Sequence, residues 1–167
     1  MNVLSWIPLL GLTAIAATTG NGADAVFVKA AMQSGQAEIA QAAVQANSTD
    51  YRVRQFAGRM TTDHGAADRQ LVAIASTLDM DVSAAPQPGL SGVTPAPGGL
   101  AYAPASGKVL APAAYFRQQV RAHADAISLF SREAASGSNA RLRAFAARTL
   151  PVLKSHLALA RKYLASY

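Results

Sequence analysis

The apolar positions of this chain fall into four helical stripes, separated by two short polar breaks and one long irregular stretch. An apolar residue at i, i+3/i+4 and i+7 marks one buried face of an α-helix. In a first segment, roughly 24–46, that spacing is met by Phe27, Ala31, Ser34, Glu38 and Ala42. A second, about 50–78, carries Val53, Phe56, Met60, His64, Ala67, Leu71, Ile74 and Leu78. A third, about 112–135, carries Phe116, Val120, His123, Ile127 and Phe130. The fourth runs on to about 166 with Leu142, Phe145, Val152, His156, Leu159 and Tyr163. The punctuation agrees. Asn47-Ser48-Thr49 ends the first segment, and Ser48 or Asp50 caps the second. Pro112 suits a first helical turn, and Ser136-Gly137-Ser138-Asn139 separates the third helix from the fourth. Pro151 removes a backbone donor inside the fourth helix and predicts a kink there.

The irregular stretch, Val82 to Ala111, holds five of the eight prolines, five glycines and a single charge, Lys108. It is too rich in proline for helix or central strand, and a connection of that length in a small helical domain needs a reason. Topology supplies one. Short loops make two antiparallel hairpins, and a long crossover lets the second hairpin start from the opposite end of the bundle. The expected fold is therefore all-α, a four-helix bundle of the ferritin-like arrangement: two antiparallel hairpins joined by a long Pro/Gly-rich crossover. A faint repeat agrees, since RVRQFAGR at 52–59 moved by 89 positions lands on RLRAFAAR at 141–148, and Phe27 lands on Phe116.

The first residues read differently. Val3 to Ala17 is an uncharged apolar run of 15 residues followed by small residues, with Ala14-Ile15-Ala16 in an A-x-A pattern. That is the core and cleavage zone of a secretory signal, shorter than a spanning helix needs. Pro8 and Gly11 argue against a buried domain helix. The expected division is a signal peptide and short leader over 1–22 and a helical domain over 23–167, exported to the periplasm or another extracytoplasmic space. No cysteine is present among the 167 residues, which excludes disulfides, thiolate metal sites, a cysteine nucleophile and a lipidated cysteine anchor. Fifteen basic against nine acidic residues give a net charge of +6. The arginines are spread out and not interleaved with aromatics, which speaks against nucleic acid and allows a weak association with an anionic membrane surface. Self-association into a homo-oligomer is left open by the pattern.

Candidate chemistry concentrates on three histidines, His64, His123 and His156, each on the core stripe of a different helix, with Glu38 at a comparable place on the first. At about 1.5 Å of rise per residue, these four stand about 16, 23, 18 and 12 Å from one end of the bundle, taken in the order Glu38, His64, His123 and His156. All four are near the middle, but an 11 Å spread (about, on that rise) is wide for a single ion, and three ligands converge more easily than four. One reading is a His/Glu metal site for Fe, Zn, Cu or Mn, with Asp63 and Asp125 as supporting partners. The other is a structural polar core, in which the same carboxylates hold the histidines without an ion. A dinuclear carboxylate centre is excluded by composition: the chain has two glutamates, Glu38 and Glu133, and neither is followed by a histidine three residues on. No phosphate-binding glycine loop is present, and Thr61-Thr62-Asp63-His64 points its groups in different directions along a helix. Tyr102 reads as a residue that packs the long connection onto the bundle.

Several of these residues also sit in longer patterns: Phe27-x-Lys29-Ala30-Ala31 with Ser34-Gly35 and Glu38-Ile39; V-R-x-F-A-x-R-M-x-x-D-H at Val53 to His64; Y-F-R-x-Q-V-x-x-H at Tyr115 to His123; L-R-x-F-A at Leu142; and L-P-V-L-x-x-H-L at Leu150. In these the chain resembles, over about 23–166, a bacterial ferritin-like family of unknown function whose members are usually labelled predicted outer-membrane or putative membrane proteins. The resemblance implies a four-helix ferritin-like fold and an extracytoplasmic place, and it carries Glu38, Asp63, His64, His123 and His156 over as matching polar positions. It names no reaction. The stretch Val82 to Ala111 departs from it in length and apolarity. The sequence thus predicts an exported bundle with a non-catalytic binding or envelope-protective role, against the alternative of a metal-binding or metal-dependent redox protein.

Overall fold

A computed structural model describes residues 19–82 and 107–167. The apolar run Val3 to Ala17, most of the Pro/Gly-rich stretch and Tyr102 lie outside them. Four helices and no strand occur among the described residues: α1 Thr19–Gln45, α2 Tyr51–Ser76, α3 Pro112–Ser136 and α4 Ala140–Leu164. α1 begins five positions ahead of the residue at which the apolar spacing places it. α4 continues through Pro151 as one element. Among the described residues no helix is long and apolar enough to cross a membrane.

The sequence repeat proves to be a structural one. Asp50 accepts hydrogen bonds from the backbone N–H groups of Arg52 and Val53 at 2.9 and 3.1 Å. Its counterpart 89 positions on, Asn139, accepts from Arg141 and Leu142 at 2.8 and 3.3 Å. Each cap satisfies donors that the first helical turn leaves unpaired. Arg54 then donates to the carbonyls of Ser48 and Thr49, and Arg143 donates to those of Gly137 and Ser138. The same arginine thus clamps the hairpin loop in both halves. Val53 and Leu142, and Phe56 and Phe145, are all fully buried, so the repeated apolar positions are the ones that face the core.

Packing runs between α1 and α2, between α3 and α4, and across the pairs from α1 to α3 and from α2 to α4. Buried Asp24, near the start of α1, accepts from the N–H groups of Ser138 and Asn139, both at 2.8 Å, and so ties that end to the α3–α4 loop. At the opposite end Gln45 accepts from the Leu110 N–H at 3.2 Å, just before α3. The two hairpin loops therefore sit at opposite ends of the four helices. One apolar cluster, including Phe27, Met32, Leu71, Phe130, Phe145 and Leu153, fills the α3–α4 loop end. A second, with Val53, Phe56, Met60, Tyr115, Phe116 and Ala160, fills the other. One apolar assignment is corrected: Val152 is 40% exposed, and Leu153 takes its place in the core. Phe145 lies at one edge of the buried face of α4, which also holds Leu142, Ala146, Leu153, His156 and Ala160, and a step of seven from that edge stops one residue short of Leu153.

Candidate metal centre

Where the two apolar clusters meet, the chain's only three histidines face one another. His64 of α2, His123 of α3 and His156 of α4 have ring centroids 5.3–5.6 Å apart, and one nitrogen of each lies within 4.8 Å of the others. His123 and His156 are each 1% exposed and His64 is 9% exposed. Phe56 closes the cluster on one side, its ring 6.3 and 6.4 Å from those of His123 and His156.

One nitrogen on each of two rings is fixed. His123 Nδ1 lies 3.0 Å from the Gln119 carbonyl, one turn earlier on the same helix. A carbonyl can only accept, so Nδ1 carries the proton and Nε2 keeps its lone pair. His156 Nε2 lies 2.8 Å from Asp63 Oδ2, which leaves His156 Nδ1 with the lone pair when the carboxylate is ionised. Three imidazole nitrogens remain buried without a partner: His64 Nε2, His123 Nε2 and His156 Nδ1. Burial keeps the rings neutral. The His64 imidazole is pulled down to about 3, by burial first and then by the other two rings. That of His123 is pulled down to about 4, chiefly by burial, against its bond to Gln119. His156 is also lowered by burial, although Asp63 pulls the other way. Three neutral imidazoles, each with one buried nitrogen lacking a partner and two of them oriented by a carbonyl and a carboxylate, form a donor set suited to Zn, Cu, Fe or Ni and unsuited to Mg or Ca.

The other candidates are placed as follows. Asp63 is the carboxylate behind His156, and it also lies 3.7 Å from Arg59 Nε. Glu38 does not join the rings. It is buried and accepts from Gln119 Nε2 at 2.7 Å, so it reaches the centre only through the residue whose carbonyl orients His123. Burial raises the Glu38 carboxyl above its ordinary value, and the Gln119 bond opposes that rise. Asp125 is exposed on α3 beside Arg121, with no hydrogen bond to any of the three rings.

Asp68 was not visible as a candidate from the stripe. It lies one turn beyond His64 on α2, is 3% exposed, and its Oδ2 has no partner. Across from it stands Gly35 of α1, where a Cβ would collide with the Asp68 carboxylate. A cavity of about 30 Å³ opens there, with Ser34, Asp63, His64, Asp68, Thr149 and His156 as its polar lining. The sequence signal was the i, i+4 spacing from His64 together with a glycine at the facing position.

The Asp68 carboxyl is pushed up to about 7, chiefly by burial, with Arg69 opposing. The folded chain therefore holds a proton that the unfolded chain gives up near pH 4. Stability falls as the pH rises from about 4 to about 7, and the full loss, up to about 4 kcal/mol, is in place above pH 7. In metal-free protein, Asp68→Asn is accordingly expected to be near neutral at pH 4 and stabilising by about 2–4 kcal/mol at pH 8 in urea unfolding. An equal effect at both pH values would contradict a buried carboxyl that keeps its proton in the folded chain.

Fold and centre together define an all-helical bundle protein with three histidines gathered in its core. The chain belongs to a family described as a domain of unknown function (DUF4142), which matches residues 11–95 and 110–163. No curated protein and no solved structure matches it.

Proposed function

We propose that the chain is an exported, ferritin-like bundle that binds one transition-metal ion through His64, His123 and His156. The observation that carries this reading is the gathering of three histidines, one nitrogen of each within 4.8 Å of the others, with one buried nitrogen on every ring left without a partner. As a purely structural core they are costly, because each unsatisfied buried group forfeits about 1–3 kcal/mol. An ion removes all three debts at once. A triangle of that size puts its centre at most about 2.8 Å from each nitrogen, so ring movements of about 0.7 Å bring the bonds to the usual 2.0–2.1 Å. Three histidines leave a further coordination position open, as in sites that exchange ligands.

A trapped water is the competing occupant, since about 2.8 Å is also a hydrogen-bond distance. His64 could donate to it while it donates to the other two rings. Elemental analysis of tag-free protein, purified without chelator, separates the two. Near one equivalent of Zn, Cu, Fe or Ni is expected. Metal-free protein that stays folded and takes up none of these ions on titration contradicts the reading.

The ferritin-like arrangement is supported by the α1–α3 and α2–α4 packing, the loops at opposite ends and the long connection between α2 and α3. Export rests on the apolar Val3–Ala17 segment, and the place proposed is the periplasm or another extracytoplasmic space, with weak attraction to an anionic membrane surface. The only tryptophan is Trp6. Protein recovered from the periplasm should therefore lack tryptophan fluorescence.

A further inference from the structure

The cavity beside the three histidines has a chemistry that metal binding alone does not use. Two of the ligands, His64 and His156, form part of its wall, and the unpartnered Asp68 carboxyl stands on the same wall. Its volume of about 30 Å³ suits a water or a ligand of two or three atoms better than a ring. A surface groove between α2 and α4 shares Asp63, Ala67, Thr149 and Val152 with the cavity and carries Arg148 at its rim. The charged lining of that groove is Arg148 and Asp63, one of each sign, so a neutral water and a small anion can both approach.

We infer that this cavity is the seat of an exchangeable ligand of the metal ion, water or a small inorganic anion, held between the ion and the Asp68 carboxyl. The inference rests on the three-histidine reading and adds to it a ligand site and a size limit. Asp68 contributes a hydrogen bond to the ligand, as acceptor from water when ionised and as donor to an anion when protonated. Gly35 is the positioning residue. With no Cβ it leaves room for the carboxyl, and a methyl group there would push Asp68 out of its place.

Co(II) serves as the probe ion and azide as the probe ligand, read by the visible d–d spectrum of tag-free protein. Wild-type protein is expected to take one equivalent of Co(II), and azide is expected to shift the bands while imidazole does not. Asp68→Leu, which removes the carboxyl and fills the cavity, should weaken azide about ten- to a hundredfold, the worth of one hydrogen bond to a charged group. Asp68→Asn keeps the shape and should lie between the two. Gly35→Ala should resemble Asp68→Leu, and if it does not fold the two Asp68 variants still decide. No Co(II) bands in wild-type protein would remove the three-histidine reading itself. Bands that azide leaves unchanged, azide binding indifferent to both Asp68 variants, or imidazole entering as readily as azide would overturn the cavity assignment and leave the metal site standing.

Discussion

His123→Ala is expected to abolish stoichiometric metal binding and, with it, the stabilisation that metal gives. His123 is held in place by 1% exposure and by the bond from Nδ1 to the Gln119 carbonyl. Removing it leaves two rings, and the loss should exceed the ten- to hundredfold that deletion of a mere supporting partner costs, roughly. Asp63→Ala provides that lesser case, because it removes only the carboxylate behind His156. At a free metal concentration about 100 times Kd, wild-type protein should gain about 2.7 kcal/mol, or about 5–10 °C in Tm for a domain of this size. In the variant the melting temperature should not respond to metal. Equal Tm shifts in both proteins would place the ion elsewhere.

Phe56→Ala is expected to cost about 3–5 kcal/mol in chemical unfolding, among the largest losses any single core position can produce. Phe56 is 1% exposed and meets four rings edge-on: Tyr115 at 5.9 Å, Phe116 at 5.5 Å, and the two histidines His123 and His156. It joins one apolar cluster to the polar centre. Its loss should therefore weaken metal binding although no ligand has changed. Phe27→Ala is the control, because Phe27 packs on Phe130 at 5.1 Å in the other cluster, away from the Phe56 ring contacts with the histidines. Comparable destabilisation with unchanged metal affinity is expected there. If both variants bind metal alike, Phe56 does not support the centre.

Four helices, their punctuation and the repeat of 52–59 on 141–148 were legible because caps, breaks and a 3.6-residue spacing are local properties. The convergence of three histidines was legible as well, and so was the strain of adding a fourth ligand. Heights counted from loops left a wide spread, yet the rings of the three histidines stand 5.3–5.6 Å apart. What a height cannot give is rotation about the helix axis. That is why Glu38 is found bonded to Gln119 and Asp125 on the outside. The same limit hid Asp68. The α2 stripe reads equally well through Ala67, and only the facing surface of α1, with Gly35 in it, shows that the buried face is wide enough to include a carboxyl.

The most direct measurement is X-ray absorption at the metal edge of tag-free protein carrying one equivalent of Zn. Imidazole scattering can come only from His64, His123 and His156, since the chain has no other histidine. A three-histidine centre predicts a first shell at about 2.0–2.1 Å with three imidazoles and one light oxygen ligand. A shell of oxygens alone, or one imidazole at most, would mean that the ion is not held in the core and that the three rings are a structural cluster.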